Sequence, residues 1–497
     1  MTGMKRSAGR VDCLRQEGIA LLMALIALLL LSVIGLYLAM VATAEIRISD
    51  NFESHYRAHS AALAGLSHAR ALLRGLRFDD LLQGPDGAYD TSTAYLAAAK
   101  TYSYRMPVSW AVARMLDILN PAGDLSGLAD DGTVSTGHYA GGNGQVLIPL
   151  TGIAHSVANP NGPGLLCTSR YFVKVSDNNG EESELAADPA NNPFIDGDGQ
   201  IIVRSMGIAK TLGEGTQNGN RNNSAVVFEA RFKRFSTYDL DAPLVVQSSA
   251  VGNASGNMFS GNTFLIQGGP SASGIATIDT SSTDGIAPAQ QILSRLASTQ
   301  TRYVQGAGLE PSIRDLTSAI AAHPDKRLLL DQAASWRFIR QSMPQFADNS
   351  LSGVQSWIGA APLPLGRYDP ALPATVPSQD PRVTFVDGDL IIDGNLEGGG
   401  LLVVTGRVTI LGHFVFNGLI LVLGSGELDI GGRSSISGGI FLACLTSVEG
   451  NLSWGTAKLS IRDNCQIVFD REVIRMAVSL IPPVQLGIRE ITPIIDP

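Results

Sequence analysis

The chain has 497 residues, enough for several domains with cores of their own; only 16% of them are charged and 54 are glycine. Few charges among many glycine, serine, threonine and asparagine residues point to turn-rich β structure, and a formal net charge of -9 excludes a general nucleic-acid binder, which needs a basic face. Four cysteines in this length do not make a disulfide scaffold.

The first element in chain order is an apolar helix. From Ile19 to Ala44 there are 26 residues without a charge, which as a helix would run about 39 Å and cross a bilayer. The run is too long for the apolar core of a secretory signal peptide. Lys5, Arg6, Arg10 and Arg15 precede it against Asp12 and Glu17, which predicts a cytoplasmic N-terminus and an exported remainder. Leu63, Leu66, Leu73 and Leu76 continue the helical spacing with no proline between, so one helix is expected over 19–76, with its membrane span at 19–44. His55 and His59 lie one turn apart and are read as a solvated face rather than a metal pair.

A short basic leader ending in Gly18, the run IALLMALIALLLLSVIGLYLAM, and the continuation AEIRISDNF leading into SAALAGLSHARALL together resemble the type IV pilin superfamily. The likeness is closest to the PilX-type minor pilins (type IV pilus assembly proteins with a PilX N-terminal domain) and the GspK-like minor pseudopilins of type II secretion. It covers roughly residues 10 to 75. It implies that prepilin peptidase removes a cytoplasmic leader, 1–18, between Gly18 and Ile19, and that the new amino group of Ile19 is methylated. Met23 departs from the pattern, since major pilins carry there a glutamate that neutralises the neighbouring subunit's amino terminus. A buried amino group without that carboxylate is costly, so Met23 suits a subunit at a filament tip. Glu17 also departs, standing where a basic residue is common before the scissile glycine. The implied partners are other pilins and minor pilins through the helix, prepilin peptidase, and an inner-membrane assembly platform.

Residues 77–241 read as a pilin-like α/β domain with loops. Its regular part is YFVKVSD, QIIVRSMGIA and SAVVFEARFKRF, three alternating runs expected as antiparallel strands, which the resemblance would lay over the distal half of the helix. Between them, SDNNGEESE and NNPFIDGDGQ bring Asp177, Asn179, Glu181, Asp196 and Asp198 into one inter-strand region. Calcium takes six to eight oxygens from loops of this kind. Neither loop is an EF-hand, because the sixth position after Asp196 is Ile201 and the twelfth is Gly207. The GspK-like pseudopilins bind calcium as a group, so the resemblance adds to this reading without fixing ligands; polar turns are the alternative.

Residues 388–445 contain an internal repeat with a period of 18 to 21 residues, each turn holding three short β segments separated by glycine. Leu390, Val408 and Leu428 fall in one column, Leu396, Val415 and Ile436 in a second, and Leu401, Leu419 and Ile440 in a third. The period predicts a β-solenoid over 381–469, with a start at 242–283, a helical insertion and linker at 284–380, and a closing helix and tail at 470–497. Cys444 and Cys465 are about one period apart, and turns stacked about 4.8 Å apart bring such residues within reach of a disulfide.

A Walker A loop, a G-x-S-x-G elbow, an H-E-x-x-H pair and C-x-x-C are absent from the sequence. Asp387, Asp389, Asp393, Glu427 and Asp429 are the carboxylates to inspect for paired chemistry, against their ordinary use in turns. The expected architecture is α+β, mainly β, with a long N-terminal transmembrane pilin helix, a pilin-like sheet domain and a C-terminal β-solenoid carrying a helical insertion. The expected function is that of a non-enzymatic minor pilin-like subunit acting in filament priming, tip assembly or adhesion, held in the inner membrane before assembly and periplasmic or surface-exposed afterwards. The alternatives are a type II secretion pseudopilin, or a membrane-anchored solenoid that binds or cleaves polysaccharide.

Overall fold

The computed structural model describes residues 10–78, 151–158, 165–178, 198–210, 223–235, 237–280, 286–323, 325–372, 379–462 and 464–491, with positions 82, 110, 118, 148 and 196 between them. A single helix, α1 (Arg10–Leu72), opens the chain. It begins before the expected start and stops four residues short of the expected end. Gly75, at φ +79°, supplies the left-handed residue that ends it. The Arg234 guanidinium donates to the carbonyls of Leu73 and Leu76, both at 2.7 Å, and so satisfies acceptors that the helix end leaves open.

The distal half of α1 lies on an antiparallel sheet formed by β1 (Ile153–Ala158), β2 (Leu165–Asp177), β3 (Gln200–Ala209), β4 (Ser224–Lys233) and a strand from the chain's last described stretch. Strands β2 to β4 are those that the alternating texture gives. That last strand falls where a tail is expected.

From Leu244 the pairing becomes parallel. The elements are β5 (Leu244–Ser248), β6 (Ala250–Asn253), β7 (Leu265–Gln267), β8 (Ile275–Asp279), α2 (Pro288–Arg295), β9 (Val304–Gln305) and β10 (Ile313–Asp315). A helical stretch follows, with α3 (Thr317–Ala322), a 3-10 turn, α4 (Gln332–Arg337), a π turn and α5 (Met343–Phe346). Then come β11 (Asn349–Ser352), β12 (Gln355–Ile358), β13 (Gly366–Arg367), β14 (Asp380–Asp387), β15 (Leu390–Asp393), β16 (Asn395–Val404), β17 (Val408–Ile410), β18 (His413–Gly424) and β19 (Glu427–Ile430). The chain continues through β20 (Arg433–Val448), β21 (Asn451–Trp454), β22 (Thr456–Ile461), β23 (Gln466–Phe469), α6 (Arg471–Ser479) and β24 (Val484–Ile491), the edge strand beside β4. Strands β9 to β13 thus lie inside the stretch expected to be a helical insertion and linker.

The main path of the largest sheet runs β10-β8-β5-β20-β18-β16-β14-β11, and a second sheet runs β12-β15-β17-β19-β22-β6. The N-terminal halves of β16, β18 and β20 continue through β23, β7 and β9 as a third parallel row. Chain order and stacking order differ, because the late strand β20 pairs with the early strand β5. The helical stretch therefore crosses the sheet from one end of the stack towards the other. Thr317 Oγ1 accepts from the Asp279 amide at 2.7 Å, Leu329 O accepts from Gln247 Nε2 at 2.6 Å, and Arg340 pairs with Asp387 at 2.6 Å. Asp331 caps α4 by accepting from the amides of Ala333 and Ala334.

The central strands of the largest sheet, over β5 and the later residues of β16 and β18, are buried on both faces, as parallel strands usually are. Leu402, Ile420, Ile440, Leu244 and Ile275 point into an inner core, while Leu401, Leu419, Phe441, Val245 and Ala276 meet the helical stretch and α6 in an outer one. This two-sidedness explains why the third expected column is out of phase, whereas the second slips on a stretch buried on one face, where Val415 lies on the more exposed side. Leu390, Val408 and Leu428 pair as expected. Leu396, however, pairs with Phe414 and not Val415, and Leu419 pairs with Gly439 and not Ile440. With aliphatics on both faces, a slip of one residue still aligns apolar with apolar.

Helix α6 does not close the end of the stack. Capped by Asp470, it packs Val473 and Ile474 across Gly438 and Gly439 on the sheet's outer face, and the edge it was expected to cover is taken by β5, β6 and β7. Cys444 and Cys465 are not bridged; both thiols are free and buried. The hairpin of β20 with β21 absorbs residues between them, and β23 pairs with β20 from Ser435 onward. Cys465 therefore lies level with the start of β20, whereas Cys444 lies near its end.

The antiparallel sheet and the parallel stack are joined by several polar contacts. Arg74 pairs with Asp348 at 2.8 Å, Lys233 pairs with Asp325 at 2.9 Å, and the Gly75 amide donates to Ser479 O at 2.9 Å.

Candidate functional site

The functional surface that the structure offers is α1 itself. Ala20 to Glu53 is exposed almost throughout, with Leu21, Leu25, Leu28, Leu29, Leu36 and Tyr37 each more than 60% exposed. By length and composition this is the one helix, among the described residues, able to cross a membrane. Its hydroxyls are satisfied internally: Ser32 donates to Leu28 O at 2.8 Å and Thr43 to Ala39 O at 2.6 Å, so the apolar run presents few open polar groups. Gly18 and Ile19 lie within the helical backbone, and Met23 is exposed.

Beyond Glu53 the same helix becomes part of a core. Ala58, Ala62, Leu66, Ala69 and Leu73 recur every three or four residues and pack on Val173, Val203, Val226 and Phe228 of the sheet. The approach is close because it is made by small residues. A Cβ on Gly207 would run into Ala58 O and lie 2.5 Å from Ala62 N, and one on Gly65 would lie 2.7 Å from Tyr171 Cδ2. His59 meets Phe228 edge-on with ring centroids 5.0 Å apart, a packing role. His68 Nδ1 lies 2.9 Å from Tyr171 Oη; burial lowers the imidazole pKa and raises that of the phenol. Arg234, half-buried beneath the helix end with its guanidinium 4.3 Å from the Phe78 ring centre, is brought down to about 10 by desolvation, against the opposing charge of Asp196.

At the sheet's far edge, buried Glu229 accepts from Arg204 at 2.8 Å and from Arg489 of β24 at 2.6 Å. Burial alone would raise the Glu229 pKa, but the two guanidinium groups together hold it below its ordinary value. Neither Gly65 with Gly207 nor the Arg489 clasp is apparent from sequence. The only signals are a glycine inside a helical pattern, a glycine inside a strand pattern, and a final alternating run, VQLGIRE.

Of the calcium candidates, Asn179 and Glu181 lie outside the described residues. Asp177 ends β2 opposite Ile201, while Asp196 and Asp198 shape the turn into β3. Both oxygens of Asp198 are engaged, one by the Gln200 amide at 2.8 Å, the other by Gln200 Nε2 at 2.6 Å and Asn178 Nδ2 at 2.9 Å. Asp196 accepts from the same amide at 3.1 Å. Among the described residues no three His, Cys, Asp or Glu side chains converge in a metal-binding group.

Four of the five carboxylates singled out in the stack have structural partners, and the fifth, Asp393, is exposed at the end of β15. Glu427 pairs with Arg407 at 2.7 Å and Lys458 at 3.6 Å, Asp429 with Arg462 and the Ser255 hydroxyl, and Asp387 with Arg340 and the Thr405 hydroxyl. Asp389 accepts from the Arg407 amide at 2.8 Å, a corner bond between successive turns.

Helix, sheet and stack together define a class: a β-rich chain carrying one long apolar helix of membrane-spanning length. No protein-family model, no curated protein and no solved structure matches the chain.

Proposed function

We propose that the chain is a minor pilin-like subunit of a type IV pilus, held in the inner membrane as a single-pass protein with a cytoplasmic N-terminus until assembly, and working through α1 in filament priming, tip assembly or adhesion. The observation that carries this reading is the division of one continuous helix into a bare apolar half and a half built into the core of an antiparallel sheet. A plain membrane anchor has no need to share its helix with the exported domain. A subunit that inserts its helix among others in a filament needs that rigid continuity.

On this reading prepilin peptidase removes residues before Ile19, and other pilins pack against the exposed run from Ala20 onward. The three parallel rows of strands are the faces of a β-solenoid, a reading supported by the column Leu390, Val408 and Leu428 and by the uniform parallel register of neighbouring turns. So bulky a domain cannot be tiled along every subunit of a thin filament, which favours low copy number at a tip or flank. Fractionation of sheared filaments tests the role: the chain is expected in the filament fraction at a small fraction of the major subunit. Retention wholly in the membrane of cells that assemble filaments normally contradicts it.

A further inference from the structure

The antiparallel sheet with α1 and the parallel stack keep separate cores. Among the described residues, Ala58, Leu66, Val203 and Phe232 belong to one cluster and Tyr238, Phe441, Ala477 and Leu480 to another, with no buried residue in both. The chain passes between the two bodies at two places. It leaves the sheet after Lys233, the end of β4, and enters the outer core of the stack at Tyr238. It returns from Ile481, which packs on that core, through Pro482 and Pro483 to β24. Val484, the first residue of β24, pairs with Lys233, so both crossings lie side by side on one rung. Two short connections at one rung form a hinge, narrowed further by the fixed φ of each proline. The end of α1 closes the contact with polar groups. Arg74 donates to Leu480 O at 3.2 Å, at the C-terminal end of α6, and to Asp348 at 2.8 Å, while Arg77 pairs with Glu472 on α6. Asp348 also accepts from the Val383 amide at 2.8 Å, which fastens it to β14.

We propose that Arg74 and Arg77 are positioning residues of a latch. Closed, it fixes the angle of the stack on α1; released, it lets the stack turn about the 234–237 and 481–483 connections with both cores intact. The composition of the contact selects a latch over a permanent junction. The Arg74 and Asp348 side chains are 31% and 33% exposed, and those of Arg77 and Glu472 are 40% and 56% exposed, so water and salt screen both pairs and each is weak by itself. A polar contact without a shared apolar core is the kind across which domains move. Lys233 and Asp325, 2.9 Å apart and only 17% and 10% exposed, lie at the hinge itself and are not part of the latch. The device does not depend on the role of α1; on the filament reading it sets the direction in which the stack projects from the helix.

Pulsed electron spin resonance on the full chain in detergent tests it. Spin labels are placed at Ser67→Cys on α1 and Ser435→Cys on β20, both exposed, in a Cys13→Ser, Cys167→Ser background in which the remaining thiols, Cys444 and Cys465, are buried. With the latch residues in place, one narrow distance is expected at about 0.01 M salt and a broader set at about 1 M, as the Debye length falls from about 30 Å to about 3 Å. Arg74→Gln together with Arg77→Gln is expected to lose the single distance at either salt concentration, while Cys444 and Cys465 stay protected from alkylation. A distance as narrow in the doubly substituted chain as in the chain with both arginines overturns the proposal, because the connections alone then hold the stack. Alkylation of either cysteine in the folded, doubly substituted chain overturns it as well, since the contact is then part of the fold.

Discussion

At the scale of single residues, small side chains set how closely α1 can approach its sheet. Gly207→Ala forces a methyl group against the backbone of Ala58 and Ala62, neither of which can rotate away. A loss of about 1–3 kcal/mol is expected in urea unfolding of the full chain. The helix-sheet contact should also respond to acid. Burial holds the His68 pKa below its ordinary 6.5, so the unfolded chain binds the proton more readily than the folded one. The His68 contribution is therefore lost as pH falls below about 6.5, and Tm should fall less between pH 7 and 5 in His68→Gln than in the wild type. An identical slope in the two proteins refutes this role. The thiols supply a second residue-scale test: denaturation without reductant is expected to let alkylation reach both Cys444 and Cys465, as befits free buried groups. Burial pushes Cys465 up to about 12, so neither a thiolate nor ready oxidation is expected there in the folded protein.

At the scale of elements, β24 and the Glu229 cluster tie the chain's C-terminal portion to its N-terminal sheet. Arg204→Met leaves a buried carboxylate with one partner, and removing one member of a buried pair typically costs about 3–5 kcal/mol. Arg489→Met removes a partner that is 67% exposed and solvent-screened, so a cost nearer about 1 kcal/mol is expected. Comparable unfolding midpoints for the two variants would contradict this ranking. Helix α6 makes a parallel prediction: Ile474→Ala opens a cavity over Gly439 and should cost about 2–5 kcal/mol. Element types were legible from local texture. The uninterrupted apolar run gave α1, and alternation gave β2, β3 and β4. Where both faces are buried the periodicity no longer fixes phase, and this is why Gly439 stands where a one-residue slip would align Ile440.

At the scale of the whole molecule, the sequence reading missed the order of assembly. A local period reveals turns but not which turn neighbours which; the pairing of β20 with β5 spans about two hundred residues and leaves no local mark. The same blindness left the path of the expected helical stretch across the sheet unread and made the final strand read as a tail. For the candidate site the position is reversed. The helix that would insert in a membrane or a filament is the part most plainly written in the sequence, because exposed leucines at every helical angle have no explanation inside a soluble domain.

The central claim is that α1 is a pilin helix whose life begins with removal of a leader before Ile19. Intact mass and N-terminal peptide mapping of the protein expressed with and without active prepilin peptidase test it most directly. A product beginning at methylated Ile19 only when the peptidase is active is the predicted result. A chain that keeps Met1 to Gly18 under both conditions contradicts the account and leaves α1 as an ordinary anchor for the β-rich domains.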